Sequence, residues 1–214
     1  MTVRLFVFAR HAESAANAEH ALSSDPSRPV ALTEQGRAQA RALGAQLANV
    51  RIDLAVSTRF PRTQQTIGIA LHGRAVPVVI DPGFDELQAG DLDGAPIEAY
   101  WSWVGQHTPD DPFPHGESLD DALRRYANAL RRLLTRTEPV TLVVLHELAL
   151  RHIATAAAAK APGFADAAFA NAVPYLFDEP AVRRAELSLD TAVPAQSQSG
   201  HCSGPEASSL RRGR

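Results

Sequence analysis

The residues best suited to chemistry are two histidines and two arginines that fall where apolar runs end. Arg10 and His11 follow the mostly apolar residues 3–8, and His146 follows the apolar residues 140–145. Arg59 and Arg62 lie where the short run 54–57 gives way to a segment opened by Pro61. A guanidinium offers planar, paired donors to an oxyanion, and an imidazole can attack or transfer a proton near neutral pH. In open α/β sheets, ligands sit beyond the carboxyl ends of strands. Three such ends brought together would surround a tetrahedral phosphate with Arg10, His11, Arg62 and His146, with a helix N-terminus adding further N–H donors. The run Phe84-Asp85-Glu86-Leu87 contributes carboxylates, one of which could supply a proton.

These residues need elements to hold them. Residues 3–8, 54–57, 76–80 and 140–145 are rich in β-branched and aromatic side chains and are expected as strands. Residues 171–177 and 186–189 are expected as further strands. Thr33 can cap a helix in which Gly36, Ala40, Leu43 and Leu47 recur at helical spacing. Pro61 suits the first turn of a helix to about Leu71, where its missing N–H costs nothing. Leu119, Leu123, Tyr126, Leu130 and Leu133 form one face of a long helix, with Arg124, Arg125, Arg131 and Arg132 mostly solvated. Residues 148–161 are expected as an Ala-rich helix. Strands alternating with helices give an α/β three-layer sandwich, with a mostly parallel central sheet and helices on both faces.

Residues 1–193 are expected as a single catalytic domain. Within it, residues 94–118 hold Tyr100, Trp101 and Trp103 among acids and prolines, and suit an insertion or lid over one end of the sheet. Residues 194–214 are polar and poor in apolar side chains, as a disordered tail would be. The chain has 214 residues, with 21 Lys and Arg against 24 Asp and Glu, for a net charge of −3. That balance gives no general attraction to nucleic acid or an anionic membrane. The single cysteine, Cys202, makes neither an internal disulfide nor a cysteine zinc site. The short apolar run before Arg10 carries no cleavage site, so a cytoplasmic protein is expected.

Seven blocks, in order, resemble the histidine phosphatase superfamily, also called the phosphoglycerate mutase-like family. Arg10-His11-Ala12-Glu13-Ser14 with Asn17 is similar to its Arg-His-Gly motif, and Leu32-Thr33-Glu34-Gln35-Gly36 to the block after it. Residues 57–66 resemble its second-arginine block, and Glu86 with Gly90, Leu92 and Gly94 its acid loop. Gly116-Glu117-Ser118, Val143-Val144-Leu145-His146 and Asn171-Ala172-Val173 resemble the remaining three. The resemblance implies a phosphomonoester hydrolase acting on a small phosphorylated metabolite. His11 would be the nucleophile that forms a phosphohistidine, and Arg10, Arg62 and His146 would hold the phosphoryl oxygens. Glu86 would be the general acid and then the base, with Asn17 lining the pocket. Arg59 could contact phosphate and His115 could reach substrate. No metal and no cofactor are implied, because these side chains already supply the positive charge.

Two departures stand out. Ala12 replaces the usual glycine of the first motif, which matters if the backbone there needs a glycine conformation. Glu147 replaces the glycine after the second histidine, where a carboxylate would repel a dianion unless it points away. The acidic stretch before Gly116, containing Asp110 and Asp111, favours phosphatase over phosphoglycerate mutase-type transfer. Mutase activity and a catalytically impaired phospho-ligand binding protein remain the alternatives. The physiological substrate and the oligomeric state, monomer or dimer, stay open.

Overall fold

The structure, a computed structural model, describes residues 4–159 and 169–191. Strand β1 (Leu5–Arg10) and β4 (Val140–Leu145) are almost wholly apolar because both of their faces are covered. They pair in parallel, with Arg10 beside Leu145. β2 (Leu54–Ser57) runs parallel to β4 on its other side and β3 (Val78–Ile80) parallel to β2, while β5 (Pro174–Asp178) runs antiparallel to β1. The sheet order is β3-β2-β4-β1-β5. Val56 lies beside Val143, so Ser57, Leu145 and Arg10 close their strands at nearly one level. Residues that follow these strands therefore emerge side by side.

The pleat sends alternate side chains to opposite faces, and each face has its own helical layer. Phe6, Phe8, Val56, Val143 and Leu145 pack against Tyr126, Leu130, Leu150, Ile153 and Val182. Those partners lie on α5 (Leu119–Leu134), α6 (Glu147–Ala157) and α7 (Glu179–Thr191). Val7, Ala9, Ala55, Leu142 and Val144 pack against Ala40, Leu43 and Ile67 of α2 (Glu34–Gln46) and α3 (Pro61–Ala70). The expected three-layer, mostly parallel α/β arrangement is thus the observed one. α5 is capped by Ser118, which accepts from the Asp121 N–H at 3.0 Å, with acids in its first turn and Arg131 and Arg132 in its last, matching the helix dipole. α4 (Ile97–Val104) occupies the expected insertion and carries Tyr100, Trp101 and Trp103. No helix among the described residues is long and apolar enough to cross a membrane.

Several expectations differ from what is observed. Residues 186–189 belong to α7 and not to a strand, because Val182, Ala185 and Leu189 recur at helical spacing and are buried while Leu187 is exposed. The strand expected over 171–177 begins at Pro174, and Asn171 makes only a single bridge to Arg10. Val78, Val79 and Ile80 are apolar yet exposed, since β3 is a sheet edge. The helix expected to reach residue 161 ends at Ala157, with Ala158 as its cap and Ala159 in a left-handed conformation at φ 54°; residues 160–161 and the tail 194–214 lie outside the described residues.

α2 fixes the loop that follows β1. Thr33 accepts from the Gly36 N–H at 2.9 Å and donates to Glu13 Oε1 at 2.6 Å, and its own N–H donates to the Glu13 carbonyl at 3.0 Å. Gln39 Oε1 accepts from the Glu13 N–H at 2.8 Å. A Cβ at Gly36 would sit 2.0 Å from the Glu13 carbonyl oxygen, which is backbone and cannot swing aside. Gly36→Ala should therefore lower stability by about 1–3 kcal/mol, the usual cost of overpacking. Denaturant unfolding measures it, with an exposed control such as Gly68→Ala, whose Cβ meets nothing within 4 Å.

Candidate active site

Arg62 is the hub. It enters on the first turn of α3, is 3% exposed, and directs its guanidinium at two imidazoles. Its Nε donates to His11 Nε2 at 3.0 Å and its Nη2 to His146 Nδ1 at 3.1 Å. Ser23 receives the rest, its hydroxyl oxygen at 3.0 Å from Nη1 and its carbonyl at 2.9 Å from Nη2. The Phe60 ring lies under the guanidinium at 4.3 Å. Burial brings the Arg62 pKa down to about 10, which still leaves it charged at neutral pH.

Both imidazoles have their tautomers fixed by partners that can play only one role. His11 Nδ1 lies 2.8 Å from the Ala12 carbonyl, which only accepts, so Nδ1 carries the proton and Nε2 the lone pair. His146 is the reverse: its Nδ1 faces a guanidinium that only donates, so the proton sits on Nε2. That Nε2 is 3.1 Å from Thr58 Oγ1. Thr58 in turn lies 2.8 Å from Thr63 Oγ1, and the Thr63 hydroxyl donates to the Phe60 carbonyl at 2.8 Å. A one-way chain of donors thus runs from His146 through Thr58 and Thr63 to Phe60. Burial, then Arg62, hold both histidines well below the ordinary imidazole pKa, so both are neutral.

Glu86 completes the cluster, with Oε2 3.9 Å from His146 Nδ1. Burial pushes its carboxyl above the ordinary range, against the opposing pull of Arg62 and of the Leu87 N–H, which donates to Oε1 at 3.0 Å. Asp85, its neighbour, is spent on structure, accepting from the Arg59 N–H at 3.0 Å and from Arg59 Nε at 2.5 Å. Of the two acids of that run, Glu86 is the one that lies beside the imidazoles, and Asp85 is the one held by Arg59. Arg125, expected to be solvated, instead fastens this loop to α5. It donates to the carbonyls of Gly83, Asp85 and Glu86 and pairs with Glu117 at 2.5 Å.

The structure therefore brings together His11, Arg62, Glu86 and His146, with Arg10 near enough for its charge to bear on all four. The other three candidates are engaged elsewhere. Arg59 holds Asp85, and Asn17 Oδ1 accepts from the Ser14 N–H and hydroxyl to cap α1 (Ala15–Ala18). His115 is exposed, with Nδ1 3.0 Å from both Asp91 oxygens. It helps line a cavity of about 510 Å³ with Ser24, Asp25, Arg28, Gln88, Asp91 and Asp93. Residue type alone did not single out Ser23, Thr58 or Arg125. Thr58 carried a faint signal, two residues before the aromatic that precedes Pro61.

A sequence model of the histidine phosphatase superfamily, branch 1, matches residues 6–173. The chain belongs to this superfamily. A probable phosphoglycerate mutase of Cronobacter sakazakii is 31% identical over 132 residues, 58% of this chain and 60% of that protein. The match thus spans less than two thirds of that relative. A probable phosphoglycerate mutase of Yersinia pestis is 32% identical over 151 residues, covering 66% of this chain and 68% of its own. Among solved structures, a putative α-ribazole-5'-P phosphatase from Escherichia coli superposes with a TM-score of 0.73 at 24% identity, over 82% of this chain and 90% of that one. The α-ribazole phosphatase of Shigella flexneri gives 0.65 at 25% identity, over 73% and 81%.

The two departures of this histidine phosphatase superfamily member have physical outcomes. Ala12 adopts no left-handed backbone conformation, is fully buried, and its N–H donates to Thr66 Oγ1 at 3.0 Å, so glycine is not required there. Glu147 does not point away: its Oε2 lies 2.7 Å from Arg10 Nη1 and its Oε1 2.6 Å from Arg151 Nη2. Removing the acceptor of the His146 Nε2–H should test the donor chain. Thr58→Val leaves that buried donor unpaired, at about 1–3 kcal/mol, while Thr58→Ser keeps it. Unfolding measurements on both should show a large loss for T58V and a small one for T58S. In imidazole 15N NMR spectra, T58V alone should move the His146 Nε2–H resonance, while Arg62 at Nδ1 keeps the proton on Nε2.

Proposed function

We propose that this chain is a phosphomonoester hydrolase working through a phosphohistidine at His11. The observation that carries this reading is the neutral His11 imidazole, its Nδ1 tied to the Ala12 carbonyl and its Nε2 lone pair held toward the Arg62 guanidinium. When a phosphoryl group enters, the Arg62 Nε–H, still on Arg62, redirects its hydrogen bond from that lone pair to a phosphoryl oxygen. Nε2 attacks phosphorus, the P–O bond to the leaving group breaks, and the leaving oxygen takes the Glu86 proton. Water then attacks phosphorus, its proton passes to the Glu86 carboxylate, and the P–N bond breaks to release phosphate. Arg10, Arg62 and His146 hold the phosphoryl oxygens as charge redistributes.

Hydrolysis is favoured over mutase transfer by the cavity that opens next to Ser23 and Glu86 along the chain. Its lining carries Asp25, Asp91 and Asp93, with Arg28 already paired to Asp93 at 2.6 Å. Asp93 is also close enough to bear on the charge of Arg62, so a second phosphoryl group extending to this side would meet acidic and not basic side chains. The phosphatase names of the superposed structures agree with hydrolysis, whereas the Cronobacter and Yersinia relatives carry the mutase name. The Arg10–Glu147 pair favours the second reading, a cradle that binds a phosphorylated ligand without turnover. Rapid-quench labelling decides among them. A phosphomonoester panel should yield acid-labile protein-bound phosphate and free phosphate, both abolished in His11→Ala. Bound ligand with no labelled protein would establish the binding reading, and faster turnover of phosphoglycerate isomerisation than of any hydrolysis the mutase one.

The pH dependence follows from the directions of the shifts. His11 must be neutral, and its lowered pKa moves the acid limb of kcat/KM below the free imidazole value of about 6.5. Glu86 must be protonated for the first step, and its raised pKa keeps it so to higher pH than a free glutamic acid. The alkaline limb should then be lost as pH rises through the Glu86 value. Glu86→Gln should cost alkyl phosphates about 10²–10⁴ in rate and 4-nitrophenyl phosphate far less, because its leaving group needs no proton. Equal losses on both substrates would remove Glu86 from the acid role.

A further inference from the structure

Glu147 is the one acidic side chain that the described structure places in ion-pair contact with a member of the cradle other than a histidine. It opens α6 directly after His146, keeps 26% of its side-chain surface exposed, and bridges Arg10 to Arg151, both 15% exposed. Arg10 Nη1 lies 2.7 Å from Glu147 Oε2 and donates to the Phe169 carbonyl at 3.0 Å. Arg10 Nε is buried with no hydrogen-bond partner among the described residues, while the charge of the guanidinium is matched by Glu147. Arg62 differs: all its hydrogen-bond partners, His11, His146 and Ser23, are neutral. The cradle thus combines one guanidinium whose charge is compensated with one whose charge is not.

We propose that Glu147 sets the charge preference of this site, by pairing with Arg10 so that the cradle discriminates against doubly charged phosphoryl groups relative to singly charged ones. The proposal rests on the reading of Arg10, His11, Arg62 and His146 as a phosphoryl cradle. Each negative charge on a bound ligand meets the Glu147 carboxylate once, so a dianion is penalised twice where a monoanion is penalised once. At an effective dielectric of about 20 the difference is on the order of tenfold in affinity. The groups sharing this field are Arg10 from β1, Arg62 from α3, Glu86 from the acid loop and Arg151 from α6, with His11 and His146 neutral. The substrate class follows: phosphoryl esters whose charge is lowered by a proton or by a cationic group on the leaving side.

Tetrahedral anions of fixed charge test this without titrating the ligand. Sulfate is a dianion and perrhenate a monoanion throughout the accessible pH range. Their dissociation constants should be measured at pH 7 by calorimetry on wild type, Glu147→Gln and Glu147→Ala, with Arg62→Ala locating the binding at the cradle. Sulfate should bind about a hundredfold more tightly to both Glu147 variants and perrhenate about tenfold, the gain for two charges being the square of the gain for one. An equal gain for both anions, no change, or a loss for both would overturn the proposal, the last marking Glu147 as a brace for Arg10 alone. If neither anion binds wild type in an Arg62-dependent way, the cradle reading itself fails, a result distinct from a cradle that binds both anions but ignores Glu147.

Discussion

A buried arginine that donates to two neutral imidazoles is the constraint on which the site depends. Arg62 links residues from the ends of β1 and β4 through a single side chain rooted in α3. Such an arrangement needs both histidines unprotonated, since an imidazolium in contact with the guanidinium would be repelled in a poorly solvated space. The structure meets that need locally. The Ala12 carbonyl takes the His11 proton and the Thr58 hydroxyl takes the His146 proton, each on the nitrogen facing away from Arg62. The two lone pairs are left to face the one buried charge.

The scaffold is organised to bring these groups to one place. Parallel pairing of β1 with β4 sets Arg10 beside Leu145, and the His11 N–H continues the ladder to the Leu145 carbonyl at 2.8 Å. The imidazoles are consequently 5.3 Å apart, centre to centre. The acid comes from a loop with no ladder to hold it, and Arg125 substitutes for one by binding three of that loop's carbonyls. Arg10 and the two histidines are therefore placed by strand ends, Arg62 by the first turn of α3, and Glu86 by an arginine fastened to main-chain oxygens. All three are stiffer than a free loop.

Much of this was legible in the sequence, for a physical reason. Apolar runs buried on both faces announce interior strands, and Arg10, His11 and His146 sit where those runs stop. Other features were less legible. Residues 186–189 are apolar at alternate positions, yet the same residues also fit a helical stripe with Val182 and Ala185, and packing against α5 and α6 decides between the two periods. Arg125 has the same residue type and helix as Arg124, and only the fold shows that it turns toward the acid loop. Ser23 lies in a polar stretch without periodicity, so its contact with Arg62 could not be read from spacing. Long-range partners of this kind arise from topology, which local pattern does not encode.

Glu147 shows why the identity of a replaced residue says less than where its charge goes. An acid placed after the second histidine suggested repulsion of the ligand, and an unpaired carboxylate there would indeed oppose any anion. The observed carboxylate instead lies between two arginines. Taken as a group of three, Arg10, Glu147 and Arg151 still sum to one positive charge. Glu147 therefore reduces the positive field of the cradle without reversing it. A glycine at that position would leave the field stronger and less selective between anions of different charge. The chain's net charge of −3 gives no hint of this, because the discrimination depends on which few charges are paired beside the site and which are not.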